Sequence, residues 1–183
     1  MKNVRISSID RITTPEQLAE ELSISDDLAA FVQKSRETIS DILHGRDKRL
    51  LIICGPCSIH NVEQAIEYGK RLKELRFSNL FIVMRVYFEK PRTTTGWKGL
   101  IYDPDLDDSS NIQRGIRLAR QTLLELTRLH IPTAVEFLDL VTPQYLADLV
   151  SWGAIGARTS ESQLHRQLAS GLSMPIGFKN LTR

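Results

Sequence analysis

The sequence has 183 residues and is 42% apolar, which is enough for the core of one ordinary domain and excludes a disordered chain. Its 24 Lys and Arg residues against 22 Asp and Glu leave a formal charge of +2, without the basic block that nucleic-acid binding requires. No signal peptide or long apolar span is evident, and the only cysteines are Cys54 and Cys57, so the sequence predicts a soluble cytoplasmic protein that does not enter a membrane.

The N-terminal segment is predicted to be helical and separate from the main domain. Residues 1–13 are polar apart from scattered aliphatic side chains, which could form a short strand or an arm. Thr14 is followed by a proline and, three residues on, a glutamine, a pattern that predicts a helix start and a helix ending near Leu22. An apolar stripe of helical period predicts a second helix from about Ser25. We therefore predict an N-terminal extension over residues 1–48.

From residue 50 onward, short apolar runs alternate with helical segments. This alternation is typical of repeated βα units and predicts an α/β fold with a parallel sheet over residues 49–183. The predicted strands are 50–54, 80–86, 133–137, 154–157 and 175–178. The predicted helices between them are 62–75, 112–129, 143–150 and 161–170.

A basic loop follows the second predicted strand. Arg85, Lys90, Arg92 and Lys98 lie close together where that strand ends, and parallel α/β sheets present their functional residues at the carboxyl ends of strands. The loop therefore predicts a phosphate or carboxylate site, although a solvated surface loop is the alternative. The whole connection from 89 to 111 is unusually long, which favours a substrate loop or lid. Its acidic second half lacks the ligand spacing of a calcium loop.

Other titratable residues give weaker signals. Glu136 and Asp139 follow the third strand and could position a cation or a water, but we favour a role in balancing the basic cluster. The pair Cys54 and Cys57 has the spacing of a redox or metal motif, yet no second motif supports this, and Cys54 is predicted to pack in the core. The histidines other than His60, which are His44, His130 and His165, are predicted to lie at the surface.

The stretch 85–94, Arg-Val-Tyr-Phe-Glu-Lys-Pro-Arg-Thr-Thr, resembles the class I 3-deoxy-D-arabino-heptulosonate 7-phosphate (DAHP) synthases. The resemblance continues through Gly-Pro-Cys-Ser-Ile-His at 55–60, Pro-Gln-Tyr-Leu-Ala-Asp-Leu at 143–149, Trp-Gly-Ala-Ile-Gly-Ala-Arg-Thr at 152–159 and Gly-Phe-Lys-Asn at 177–180. Family members then continue with Gly-Thr-Asp and the second half of a (β/α)8 barrel. The resemblance therefore implies a truncated TIM barrel of about five strands, preceded by a helical extension with a role in oligomerisation and regulation.

The resemblance also implies a reaction and its binding residues. The enzymes condense phosphoenolpyruvate with erythrose 4-phosphate to DAHP and phosphate, the first step of the shikimate pathway to aromatic amino acids. The implied phosphoenolpyruvate ligands are Arg85, Lys90, Arg158 and Lys179, together with the backbone at Gly156 and Ala157. Arg92 and Thr93 match positions that bind the phosphate of erythrose 4-phosphate. Lys90 would additionally stabilise or protonate the alkoxide that forms.

A divalent metal (Mn, Fe, Co or Zn) is implied for full-length members, in which it polarises the aldehyde. Cys57 matches one metal ligand, and the His, Glu and Asp that complete the set belong to the half of the barrel that the resemblance leaves out. Although His60 lies three residues beyond Cys57, two candidate ligands are too few for tight binding. We therefore expect an incomplete metal site and no catalysis by this chain alone.

Regulation and assembly are implied as well. Four residues and the N-terminal arm match the site at which an aromatic amino acid inhibits the enzyme; the residues are Pro143, Gln144, Leu172 and Ser173. The sequence Thr-Pro-Glu-Gln-Leu at 14–18 favours tyrosine as that amino acid. Full-length members are expected to form homo-oligomers, either dimers or tetramers. Two alternatives stay open: a non-catalytic fragment that binds phosphometabolites or regulates, and a remnant without a stable fold, whose unpaired strand edges would favour aggregation.

Overall fold

The computed structural model describes residues 4–6 and 9–180. Its strands are β1 (Leu50–Cys54), β2 (Leu80–Arg85), β3 (Thr133–Phe137), β4 (Trp152–Ile155) and β5 (Ile176–Phe178). Its helices are α1 (Pro15–Glu21), α2 (Asp26–Leu43), α3 (Val62–Glu74), α4 (Ile112–Arg128), α5 (Thr142–Leu146) and α6 (Gln163–Gly171). Among the described residues, no helix combines the length and apolarity needed to cross a membrane.

The five strands form one parallel sheet in the order β1-β2-β3-β4-β5, and each is joined to the next by a connection that contains a helix. This is the predicted partial (β/α)8 barrel, and the α/β assignment is confirmed. β1 and β5 each have one neighbouring strand, so both are sheet edges within the described part of the chain.

The sheet has two apolar faces because side chains alternate along each strand. One face packs against α3, α4 and α5 in the larger core, which includes the fully buried Met84, Leu123 and Phe137. The other carries Val83 and Ala134, which contact Ile39 of α2 in a second, smaller core. Arg85 and Glu136 follow in the same alternation at the ends of their strands, and this places both side chains on the second face.

The N-terminal extension packs closely on the strands. α1 begins at the predicted capping box, in which the Gln17 amide donates to Thr14 Oγ1 at 3.3 Å and the Thr14 amide donates to Gln17 Oε1 at 3.2 Å. α2 covers the second face, and Arg36 donates hydrogen bonds to the carbonyls of Ala147 (2.6 Å) and Val150 (3.0 Å). A domain boundary at residue 48 therefore stays a prediction, since α2 shares a core with the sheet.

The predicted strand or arm over residues 1–13 lies partly outside the described residues, namely at positions 1–3, 7 and 8. The described part contains no strand. Its last residue, Thr13, is held in place: its amide donates to Gln113 Oε1 at 2.7 Å, and the Tyr145 hydroxyl donates to its carbonyl at 2.8 Å. The end of this segment therefore docks on α4 and α5.

The fourth strand was predicted two residues too late. β4 begins at Trp152 because Trp152 and Gly153 already pair with β3. Gly153 is compatible with a strand because the neighbouring strand is close: an added Cβ would lie 2.4 Å from Ile176 Cδ1. The strand ends at Ile155, and Ala157–Thr159 form a 3-10 turn. The helix predicted at 143–150 likewise becomes a 3-10 turn after Leu146.

Candidate active site

A cavity of about 600 Å³ lies at the carboxyl ends of the strands, and we call it the anion cavity. It is lined by the basic residues that the sequence indicated and by Gly156 and Ala157, whose backbone was predicted to bind the same ligand. The cations that line it are Arg85, Lys90, Arg92, Lys98, Arg158 and Lys179. The other lining residues are Pro91, Thr93, Tyr102, Glu136, Leu138, Asp139, Gly156, Ala157 and Thr159.

Lys179 is fixed by contacts from three sides. Its Nζ lies 2.7 Å from Glu136 Oε2 and 5.0 Å from the centre of the Tyr87 ring, and its amide donates to the carbonyl of Ile155 at 2.9 Å. Glu136 is only 5% exposed, whereas the Lys179 side chain is 41% exposed. This pair fits both roles that the sequence allowed for Glu136, which are to position a cation and to balance the basic cluster. The ammonium group thus lies at the cavity surface with its position set by a buried carboxylate.

The same role was predicted for Asp139, which lines the anion cavity beside the cations, and this stays a prediction. The ion pairs of the described residues do not include Asp139. Its carboxylate instead accepts hydrogen bonds from the Tyr102 hydroxyl (2.9 Å) and from the Val141 amide (2.6 Å). These neutral donors come from the long loop and from the turn after β3, so Asp139 orders the cavity wall.

Arg85 ends β2 and reaches across to the loop after β1. Its Nη2 donates to the carbonyl of Cys57 at 3.0 Å, and its guanidinium carbon lies 4.3 Å from the centre of the Tyr87 ring. Its Nε is buried and has no hydrogen-bond partner among the residues described. A buried guanidinium nitrogen without a partner is costly, so an acceptor supplied by a ligand would complete its hydrogen bonding.

Lys90 contacts the exposed Cys57: the Nζ to Sγ distance is 3.1 Å. A hydrogen bond and the positive charge of Lys90 lower the pKa of the Cys57 thiol, with a smaller contribution from Arg85. This environment favours the thiolate, the form that binds metals. Within residues 4–6 and 9–180, however, no three His, Cys, Asp or Glu side chains converge on one point. The described residues therefore do not by themselves make up a metal site.

The loop between Lys90 and Lys98 folds back on itself. The Lys90 amide donates to the Lys98 carbonyl at 2.9 Å, and Arg92 Nε donates to the Trp97 carbonyl at 3.1 Å. Gly99 has φ +107°, and an added Cβ would lie 2.1 Å from the Phe88 carbonyl, so only glycine fits where the loop returns to the strand end. The basic side chains are therefore presented by an ordered loop.

Gly156, Ala157 and Arg158 form the opposite wall. An added Cβ on Gly156 would lie 2.8 Å from Glu136 Oε1, so glycine leaves room for the carboxylate that pairs with Lys179. Arg158 lies in the 3-10 turn and is exposed. Its guanidinium is consequently available to a ligand from solvent.

Glu89 was not predicted as a site residue, although it lies between the quoted Phe88 and Lys90. It is 2% exposed, and its carboxylate accepts hydrogen bonds from the amides of Leu138 and Asp139 and from Thr142 Oγ1. Burial raises the pKa of Glu89 to about 7, against the lowering effect of these hydrogen bonds. An acidic residue at the end of the apolar stretch 86–88 was the available signal, but the sequence did not reveal that its side chain points inward.

His165 was predicted to be a surface residue and is in fact half-buried. Its Nε2 lies 2.9 Å from the carbonyl of Leu138, which can only accept, and its Nδ1 lies 2.9 Å from Ser162 Oγ. His165 thus supports the wall of the anion cavity from behind. His44 and His130 are exposed, as predicted.

A second cavity, of about 570 Å³, contains the four residues predicted to be regulatory: Pro143, Gln144, Leu172 and Ser173. The wall also includes Pro15 and Glu16 of α1 and the charged residues Arg36, Arg120 and Asp148, which sequence reasoning did not single out. Arg120 is 1% exposed and forms a bidentate pair with Asp148 at 2.7 and 2.8 Å. The cavity thus combines both signs of charge with apolar surface.

The DAHP synthetase I family profile matches residues 19–183. A relative in Salmonella typhimurium named "Phospho-2-dehydro-3-deoxyheptonate aldolase, Tyr-sensitive" is 56% identical over 185 residues, covering 100% of this chain and 52% of its own length. A Trp-sensitive relative in Escherichia coli K12 is 56% identical over 182 residues, covering 98% of this chain and 52% of its own. The solved structure of the Francisella tularensis aldolase of this name has a TM-score of 0.95 and 53% identity, covering 98% of this chain and 53% of that one. The chain therefore spans about half the length of the relatives that it matches.

Proposed function

Because the chain belongs to the DAHP synthetase I family, we propose that it supplies the substrate-binding face of a cytoplasmic 3-deoxy-7-phosphoheptulonate synthase, a transferase of aromatic amino acid biosynthesis. The enzyme would condense phosphoenolpyruvate with erythrose 4-phosphate to DAHP and inorganic phosphate. The observation that carries this proposal is the convergence of Arg85, Lys90, Arg158 and Lys179 on the anion cavity.

Phosphoenolpyruvate carries a phosphate and a carboxylate, and the anion cavity offers matching cations on several sides. Guanidinium groups bind such oxyanions through paired N–H donors, and ammonium groups act as point charges. Arg85 Nε is a buried donor without a partner among the described residues, so a ligand oxygen would satisfy it. We assign phosphoenolpyruvate to the part of the cavity between Arg85, Arg158 and Lys179.

Arg92 and Thr93 lie further out on the basic loop, and both are exposed. We assign them to the phosphate of erythrose 4-phosphate, which would place the aldehyde end of that substrate toward Lys90. This arrangement accounts for the number of cations in one cavity, because the two substrates together bring two phosphate groups.

The reaction would form one carbon–carbon bond and release one phosphate. The vinyl carbon of phosphoenolpyruvate attacks the aldehyde carbon, water adds to the carbon that bears the phosphate, and inorganic phosphate leaves. Lys90 would donate a proton to the oxygen that was the aldehyde oxygen, since an ammonium group is suited to stabilise a forming alkoxide. Its contact with Cys57 fixes where that proton is held.

The chain by itself is proposed to bind phosphoenolpyruvate without turning it over. Cations for anion binding are present in number, whereas metal-ligating side chains do not converge in the described part of the chain. A divalent metal ion can lower the barrier of such a reaction by several kcal/mol, so its loss would slow the reaction about a thousandfold or more.

The second cavity is proposed to bind an aromatic amino acid, with tyrosine preferred, as an inhibitor. The names of the Tyr-sensitive and Trp-sensitive relatives support regulation of this kind. Charges of both signs suit an amino acid, whose carboxylate would approach Arg36 and whose ammonium group would approach Glu16. We also propose that the whole enzyme is a homo-oligomer, either a dimer or a tetramer, to which the N-terminal extension over residues 1–48 contributes.

The alternative is a fragment that binds phosphometabolites without any catalytic role. The two proposals differ in what happens when a complementary second half is supplied. Phosphate release and DAHP formation are measured with both substrates and a manganese series, first for this chain and then after addition of the C-terminal half of the Salmonella relative. Product in the mixture, but not with either half alone, supports the synthase role. No product from a mixture in which the two halves form a complex favours the binding fragment.

A further inference from the structure

The buried carboxylate of Glu89 connects two loops that are far apart in sequence. Its Oε1 accepts a hydrogen bond from the Asp139 amide at 3.2 Å, while its Oε2 accepts from the Leu138 amide at 3.2 Å and from Thr142 Oγ1 at 3.1 Å. Leu138 and Asp139 belong to the turn between β3 and α5, and Thr142 is the first residue of α5. Glu89 itself lies in the loop after β2, so one side chain joins the two segments.

Both of these segments line the anion cavity. Lys90, the residue after Glu89, contributes from one side, and Leu138 and Asp139 contribute from the other. A second connection runs alongside, since the Tyr102 hydroxyl donates to Asp139 Oδ2 at 2.9 Å. The distance between Lys90 and the segment at Leu138 and Asp139 therefore depends on the hydrogen bonds that Glu89 accepts.

We infer that Glu89 is a positioning residue for anion binding, which holds the loop bearing Lys90 and Arg92 against the turn between β3 and α5 without touching the ligand. This inference deepens the proposed function and rests on it for the identity of the ligand, phosphoenolpyruvate. It concerns a residue outside the cavity lining and assigns it a role in the binding of that ligand.

Burying the charged carboxylate of Glu89 costs folding free energy, which indicates that its role is not stabilisation of the fold. Desolvation is the largest influence on Glu89, and the negative charge of Asp139 adds to it, so the ionised form is disfavoured and the pKa is raised to about 7. A neutral side chain could fill the same volume without that cost. What the carboxylate adds is two acceptor oxygens that hold three donors at once.

The negative charge of Glu89 and its positioning of the loop have opposite effects on the affinity for an anion. A substitution at Glu89 can therefore distinguish the two roles. If Glu89 acted only through its negative charge, its neutralisation would strengthen the binding of an anion. If it positions the loop, the variant Glu89→Gln, which keeps one acceptor oxygen and replaces the other by an N–H donor, weakens binding. Loss of position is expected to prevail, with about a tenfold weaker affinity for phosphoenolpyruvate near pH 8.

The test measures phosphoenolpyruvate affinity by calorimetry and backbone amide exchange by NMR on the whole chain. Glu89→Gln and Thr142→Val, which removes only the hydroxyl donor, are compared with Glu67→Gln, a control in an exposed pair with Arg71. The first two variants are expected to bind about tenfold and about threefold more weakly, and the amides of Leu138 and Asp139 are expected to exchange faster in Glu89→Gln. The control is expected to be unchanged.

Unchanged or tighter binding by Glu89→Gln would overturn the inference. If that variant does not fold, Thr142→Val decides, and an unchanged affinity there overturns it too. If the unaltered chain binds no phosphoenolpyruvate, the proposed function fails, and amide exchange then decides separately whether Glu89 positions the loop. Equal exchange rates in Glu89→Gln and the unaltered chain would reject that role as well.

Discussion

Lys179 Nζ lies 2.7 Å from Glu136 Oε2 at the wall of the anion cavity, with the carboxylate buried and the ammonium half-exposed. The pair orients Lys179, but it also places a negative charge beside a site for anions. The position of the lysine and the local potential are thus set by the same contact.

The first prediction concerns this pair. Glu136→Gln removes the negative charge but keeps the side-chain size, so the affinity for phosphoenolpyruvate is expected to rise by about three- to tenfold. Lys179→Met should have the opposite effect on affinity and should destabilise the fold by about 1 to 2 kcal/mol, because it leaves a buried carboxylate unpaired beside solvent. Calorimetry and urea unfolding measure the two effects. Weaker binding by Glu136→Gln would show that orientation of Lys179 outweighs the local potential.

Arg158 offers a test of ligand binding without a change in stability. It is exposed in its 3-10 turn, so Arg158→Gln is expected to melt at the same temperature as the unaltered chain. Its loss removes a charge-assisted interaction with the ligand and should weaken phosphoenolpyruvate binding about tenfold or more. Arg71→Gln, on the outer surface of α3, is the matched control and should bind normally. Equal affinities for the two variants would remove Arg158 from the site.

Cys57 is expected to react faster than Cys54 with iodoacetamide near pH 7. Its pKa is lowered by the hydrogen bond and charge of Lys90, and it is exposed, whereas Cys54 is half-buried. Lys90→Met should slow the alkylation of Cys57 severalfold and leave Cys54 unaffected, since a thiolate without its cation is less populated. Mass spectrometry of timed samples resolves the two sites. An unchanged rate at Cys57 in the variant would contradict the thiol–lysine contact.

The stability of the fold is expected to depend on pH through Glu89. Its pKa is raised from 4.5 to about 7, so the folded chain holds this proton more tightly than the unfolded chain. The protonated carboxyl of Glu89 therefore contributes to the free energy of unfolding in full below about pH 4.5, and this contribution is lost as the pH rises through about 7. It amounts to at most about 3 kcal/mol. Urea unfolding at a series of pH values should show a decline that Glu89→Gln lacks. Parallel curves of unfolding free energy against pH for the variant and the unaltered chain would contradict a pH dependence that acts through Glu89.

Much of the fold and the cavity could be predicted because local patterns specify them. β1 and β3 have the predicted limits, since apolar runs bounded by polar residues mark buried strands. The cations converge because parallel strands bring their carboxyl ends together. The inward direction of Glu89 was not predictable, because the three donors that satisfy it lie about fifty residues further along the chain. His165 was misjudged for a similar reason: its Nε2 partner, the Leu138 carbonyl, belongs to a loop that is 27 residues away.

The most direct test of phosphoenolpyruvate binding in the anion cavity is a calorimetric titration of the chain with this ligand. The titration is repeated with the double variant Arg158→Gln, Lys179→Met. The anion cavity is the proposed binding site, so the unaltered chain should bind one equivalent, and the double variant should bind at least about a hundredfold more weakly while still giving the circular dichroism spectrum of a folded α/β protein. No heat of binding from the folded unaltered chain, or equal affinity in the folded double variant, would contradict the assignment of this cavity to phosphoenolpyruvate.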